Sequence, residues 1–298
     1  MARMAPGELR RFNVEPIETV DYHRDLDYVG DGASAHRLDV LVPHDATEPL
    51  PVYVYFHGGG WTSGDKGPLT KYCASQASGG MVVVNANYRT ATRAHMGEIL
   101  QDANAAIAWV AREIAAYGGD PTRIVLGGDS AGGQIAALLA ATSTQAELAT
   151  HYGIQPAMLP GSLKGLVQHC SAVDFSVVFE RGFILGLQFV QMLLPERVAR
   201  KLLPHAARFL SPIEWLSAGF PPVFVTTSEQ DYFYRANLNF IARLRSHRVQ
   251  VDTVILRRSD RNARHTWQQN SRFAESQLVY QHLHRFVGRV TAAPQPVR

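Results

Sequence analysis

Five residues near the middle of the chain, Gly128-Asp129-Ser130-Ala131-Gly132, set a serine between glycines at the spacing GxSxG. A serine hydroxyl is a weak nucleophile until a neighbouring base takes its proton. A strained strand-to-helix turn can hold that hydroxyl clear of a sheet, and such a turn needs small residues around it. The setting fits. The apolar run Ile124–Leu126 reads as a strand directly before the motif, and a helix is expected from near Gly133. The N-terminal N–H groups of that helix favour negative charge developing beside the serine. A second run, His57-Gly58-Gly59-Gly60-Trp61, ends the apolar stretch Val52–Phe56. Three glycines after a buried strand let backbone N–H groups face a ligand with no Cβ in the way. Donors of this kind are what an oxyanion hole requires. Together the two motifs imply acyl transfer through a serine nucleophile.

The elements that must position these residues follow from the hydrophobic pattern. Leu38, Val40 and Val42 alternate as a half-buried strand. Nearly continuous apolar runs follow at Val52–Phe56, Met81–Val84, Ile124–Leu126, Leu166–Val167, Val223–Val225 and Val251–Leu256. Runs of that kind suit a sheet covered on both faces. Between them Ile99, Ala103, Ala106, Val110 and Ile114 form a helical stripe; so do Leu238, Ile241 and Leu244, and Leu278, Val279, Leu283 and Phe286. Strand–helix alternation predicts an α/β fold with a mostly parallel, doubly wound sheet flanked by helices. Residues from about 175 to 215 break the alternation and read as consecutive helices, with Phe183 to Leu194 apolar nearly all round. An insertion there packs over the C-terminal edge of the sheet, where open α/β folds bind ligands. The tail from Thr291 is rich in proline and alanine and is expected to fray.

Composition excludes several classes. The chain has 298 residues, 46% hydrophobic and 18% charged, which is an ordinary globular balance. Its formal net charge of +3 is spread along the sequence, so nucleic acid is not an expected partner. Cys73 and Cys170, each in apolar sequence, form no zinc spacing and no disulfide framework, and read as buried thiols. No metal or organic cofactor is expected. The N-terminus lacks an apolar secretory core, and no apolar run reaches the roughly 20 residues of a membrane helix. A cytoplasmic enzyme with no stable membrane insertion, one domain over 1–298 with a small helical cap, is the expectation.

HGGGW followed by GDSAGG resembles the hormone-sensitive-lipase-like branch of the α/β-hydrolase-fold esterases, from about Leu38 to Phe286. The resemblance implies backbone oxyanion donors at Gly59, Gly60 and Ala131, and a structural His57 that steadies the glycine loop. It also implies an acid after the strand Val223–Val225 and a histidine after the last long strand, in the chain order serine, acid, histidine. Asp231 and His265 stand in those places. Asp174, after the preceding strand, and Glu229 are rival acids. Among twelve histidines, His247, His282 and His284 fall at or within helices, where surface or core roles are more natural. Trp61, Asp129, Phe183 and Leu187 are the expected substrate-binding residues. Ile184, Phe189 and Val190 either join them in lining an acyl or alcohol pocket or pack on their own helix neighbours. Asn85-Ala86-Asn87-Tyr88-Arg89 matches the family's Tyr-Arg stretch, whereas Thr90-Ala91-Thr92-Arg93 departs from its usual continuation.

Four arginines, Arg257, Arg258, Arg261 and Arg264, precede His265 and form either a cationic rim for acidic esters or a solvated loop. The reading that results is a serine carboxylesterase for short to medium acyl chains, a small-molecule ester being its partner. Relatives of this kind are often dimers. An amidase such as an arylformamidase, or a lipase, would use the same triad. A ligand receptor on the same fold would ordinarily have lost one of its members.

Overall fold

The computed structural model describes residues 16–91, 93–180, 183 and 186–292. Its strands are β1 (Val20–Asp27), β2 (Arg37–Pro43), β3 (Leu50–Phe56), β4 (Val82–Ala86), β5 (Gly119–Asp129), β6 (Leu163–His169), β7 (Val223–Ser228) and β8 (Val251–Leu256). The α-helices are α1 (Thr70–Ala77), α2 (Met96–Glu113), α3 (Ala131–Thr142), α4 (Ala146–Tyr152), α5 (Gly186–Leu193), α6 (Leu203–Ala206), α7 (Tyr234–Ser246) and α8 (Ala274–Thr291).

The strands form one sheet in the order β1-β2-β4-β3-β5-β6-β7-β8. β1 and β2 pair antiparallel, and β2 runs antiparallel to β4. Every other pairing is parallel. This is the mostly parallel α/β sheet that the alternation predicts, in the α/β-hydrolase fold that the resemblance implies. Parallel strands bring the C-terminal ends of β3, β5, β7 and β8 to one edge, where the two glycine motifs, Asp231 and His265 follow.

Alternation along each strand divides the core in two. Val52, Val54 and Phe56 of β3 pack on one face with Ile99, Ala103 and Val110 of α2 and with the side chains of α3. Tyr53 and Tyr55 pack on the other with Cys73 of α1 and Leu283 and Phe286 of α8. Full burial of one such large apolar side chain contributes about 2 kcal/mol. A capping box starts α2: the His95 ring accepts from the Gly97 N–H at 3.1 Å, and Glu98 accepts from the His95 N–H at 3.0 Å.

Three sequence expectations need correction, and one strand was not anticipated. β1 gave no usable signal, because its VDYHRDLD pattern is polar; pairing with β2 holds it. The helix after the nucleophile motif starts at Ala131, two residues earlier than expected. The described residues of 175–215 hold two α-helices, α5 and α6, and short 3-10 turns, and α5 buries Gly186, Val190 and Leu193 rather than its whole circumference. Thr291 is a buried helix end whose hydroxyl donates to the Val287 carbonyl at 2.7 Å; residues 293–298 lie outside the described chain. Among the described residues no helix is long and apolar enough to cross a membrane.

Candidate active site

β5 enters α3 through Ser130, whose backbone stands at φ 52° and ψ −117°. A non-glycine residue held there costs on the order of 1–3 kcal/mol, so neighbouring contacts must impose it. They do. The Ser130 N–H donates to the His169 carbonyl of β6 at 2.9 Å, and the Ser130 carbonyl accepts from Ala172 at 3.2 Å and Gln134 at 3.3 Å. Gly132 leaves room on the other side, since a Cβ there would meet the Phe56 and His57 carbonyls.

The glycine loop after β3 is tied to this turn through Asp129. Its buried carboxylate accepts from Tyr55 Oη at 2.5 Å, the Gly58 N–H at 3.0 Å and Gln269 Nε2 at 3.0 Å. Burial nonetheless raises its pKa above the usual carboxylate value, against the pull of those donors. These three contacts make Asp129, expected as a substrate-binding residue, a brace between loops. His57 Nδ1 donates to the Gly58 carbonyl at 2.7 Å, because a carbonyl can only accept. The His57 ring stacks on Tyr88 at 4.4 Å, and Tyr88 Oη donates to the His57 carbonyl at 2.6 Å. Burial lowers the pKa of His57, which favours a neutral ring. Gly59 at φ 125° and Gly60 at φ 58° turn the chain into Trp61. Trp61 Nε1 donates to Gln134 at 2.6 Å, and Gln134 Nε2 donates to the Leu210 carbonyl at 2.5 Å, linking this loop to α3 and the inserted segment.

At the end of β7 the chain turns through Asp231, and β8 leads to His265. His265 Nδ1 lies 2.6 Å from Asp231 Oδ2, while Asp231 Oδ1 accepts from the Phe233 N–H at 2.5 Å. The two loops are cross-tied by Ser228 Oγ to the Ala263 carbonyl, and by Gln230 Nε2 to the Asp260 carbonyl at 2.8 Å. Tyr232, 65% exposed, sets its ring 4.1 Å from the His265 ring. The rival acids are occupied elsewhere. Asp174 accepts from Ser176 at 2.9 Å and Asn239 at 2.7 Å, and Glu229 accepts from the Arg258 N–H at 2.9 Å. Cys170 is a buried thiol as expected, and burial pushes its pKa up. Its sulfur, unanticipated at this place, lies within 4.8 Å of ligand atoms of Asp231 and His265.

Ser130, His265, Gly59, Gly60, Trp61 and Phe183 share the lining of one cavity of about 670 Å³. Ala131 is buried at the first turn of α3 beside the serine. Phe189 joins the lining, whereas Val190 is buried in the core. Leu187 is a correction: it lines a second cavity, which shares Phe183 with the first. Ile184 lies outside the described residues. Of the two readings of the arginine run, the solvated loop is the one that fits. Arg257, Arg258, Arg261 and Arg264 are exposed and line no part of this cavity, whose acidic side chains are Asp65 and Asp129. Sequence reading missed Gln269, Tyr232 and Phe233 in the lining. The last two adjoin Asp231 in sequence, which was the available signal; Gln269 had none.

Residues 38–237 match the BD-FAE family. Carboxylesterase NlhH of Mycobacterium tuberculosis (strain ATCC 25618 / H37Rv) is 30% identical over 244 residues, which cover 76% of this chain and 71% of NlhH. The probable carboxylic ester hydrolase LipM of the same strain is 31% identical over 236 residues, covering 76% of this chain and 51% of LipM. This chain thus matches about half the length of LipM. Among solved structures, esterase B from Lactobacillus rhamnosis superposes with a TM-score of 0.83 at 20% identity, covering 96% of this chain and 91% of that one. An esterase from Pyrobaculum calidifontis gives 0.71 at 24% identity, covering 95% and 89%. At such identities these two likenesses speak to the fold.

Proposed function

We propose a serine acyl-transfer mechanism for this chain, which belongs to the BD-FAE family of hormone-sensitive-lipase-like α/β-hydrolase esterases and is a carboxylic ester hydrolase. The observation that carries the mechanism is the meeting of a strained serine and an Asp-paired histidine in one cavity beside a glycine loop. His265 Nδ1 donates to Asp231, which leaves Nε2 unprotonated and able to take the Ser130 proton. Oγ then attacks the ester carbonyl, and the N–H groups of Gly59, Gly60 and Ala131 receive the oxyanion. The imidazolium returns its proton to the leaving alcohol. Water repeats the sequence on the acyl-serine and releases the acid. Residues 175–215 act as a cap on a single catalytic domain, and the cavity suits short to medium chains.

A fluorophosphonate probe and a p-nitrophenyl ester series test this reading. The probe is expected on Ser130, located by peptide mass spectrometry. Neutral esters should turn over faster than a carboxylate-bearing hemisuccinate, since acidic side chains and no arginine or lysine line the described cavity. Labelling at another residue, or turnover of anilides in preference to esters, would count against the assignment.

The oxyanion role is tested at Gly59. A Cβ there would strike the Ser63 carbonyl, and φ 125° is strained for any side chain. Gly59→Ala should displace the donor and lower kcat by about 10²–10³-fold. A far smaller loss in a folded variant means the Gly59 N–H takes no part.

A further inference from the structure

The catalytic cavity has a neighbour. A second cavity of about 430 Å³ lies within residues 175–215, lined by Val178, Phe179, Leu187 and Pro204, with Glu180 and Arg200 as its charged residues. Among the described residues Phe183 alone lines both this space and the cavity that holds Ser130. Its ring lies 5.7 Å from the ring of Phe233, which in turn lies 5.9 Å from the ring of His265. One aromatic side chain therefore borders both the cavity of the reacting groups and a partly apolar recess. The recess is shaped by the start of α5, where Gly186 comes so near the Val178 carbonyl that a Cβ would collide with it.

We infer that Phe183 is a partition that sets the longest apolar chain the ester substrate can carry, and that the recess beyond it is a chain-binding extension closed off by this ring. The inference rests on the proposed catalytic role of the Ser130 cavity. Leu187 lines the recess and not the catalytic cavity, so in the native chain it should not limit chain length. A substrate chain that reaches the ring must stop or bend back toward solvent. With the ring removed, further methylenes leave water for the recess, and each is worth roughly a fourfold gain in kcat/KM.

The test compares the native chain with Phe183→Ala on p-nitrophenyl esters from butyrate to laurate and on alkyl acetates of rising length. The expected result in at least one series is a rise of about fifteenfold in the long-to-short ratio of kcat/KM, the yield of two extra buried methylenes. Adding Leu187→Trp to Phe183→Ala refills the recess and should return the ratio toward its native value. Leu187→Trp alone should leave it unchanged. An unchanged ratio in both series, from a Phe183→Ala protein that still melts cooperatively and cleaves butyrate, overturns the inference. So does a raised ratio that Leu187→Trp fails to reverse, because the gained room then lies inside the first cavity. If Phe183→Ala does not fold, Phe183→Leu carries the same comparison with a smaller expected rise. Failure of the underlying reading looks different, since the native chain would then cleave no ester through Ser130.

Discussion

Ser130→Ala lowers turnover of a neutral ester by roughly 10⁴- to 10⁶-fold while the protein keeps its fold. Alanine retains the Cβ, so the backbone at φ 52° carries the same strain and the same hydrogen bonds to His169, Gln134 and Ala172. What disappears is Oγ, and with it the acyl-enzyme. The glycine loop and the cavity remain, so a small rate above the uncatalysed background persists. The measurement is steady-state turnover of p-nitrophenyl butyrate alongside a thermal melt. Retention of more than a few per cent of activity by a homogeneous variant would falsify the nucleophile assignment.

The second large effect is Asp231→Asn, expected to cost about 10⁴-fold in kcat. Both carboxylate oxygens accept: Oδ1 from the Phe233 N–H, Oδ2 from His265 Nδ1. An amide offers only one acceptor. If its oxygen stays with Phe233, its NH₂ faces the imidazole and drives the proton from Nδ1 to Nε2. A ring protonated at Nε2 cannot take the serine proton. Asp174→Asn is the control. That carboxylate serves Ser176 and Asn239 rather than His265, so activity should stay within a few-fold. The reverse pattern, a large loss at Asp174 and a small one at Asp231, would move the acid to β6.

Much of the fold and of the candidate site was legible because it depends on local sequence. Central parallel strands are buried on both faces, and Val52–Phe56 and Val223–Val225 fall within β3 and β7 as read. Ser130 and the glycines were legible because a tight turn tolerates few residue types. Asp231 and His265 were not derivable from spacing, since 34 positions separate them; family resemblance supplied both. Other features are properties of the assembled molecule. Gln269 reaches Asp129 across 140 positions of sequence, and nothing local to Gln269 announces that contact. The polar strand β1 exists because β2 offers it a partner. The face that Leu187 presents was hidden as well, because the run Phe183–Leu194 is too uniformly apolar to reveal which side meets the reacting groups.

The order of the strands bears on how activity is lost. Ser130 follows β5, which has paired strands on both sides, whereas His265 follows β8, which closes the sheet and pairs with β7 alone. Opening an edge strand costs less free energy than unfolding the whole molecule. Partial loosening of β8 therefore separates the base from its nucleophile while the centre of the sheet is still intact. In a denaturant titration, hydrolysis should fade before the far-ultraviolet signal of the helices does, and catalysis would then report the integrity of one margin of the protein rather than of its core.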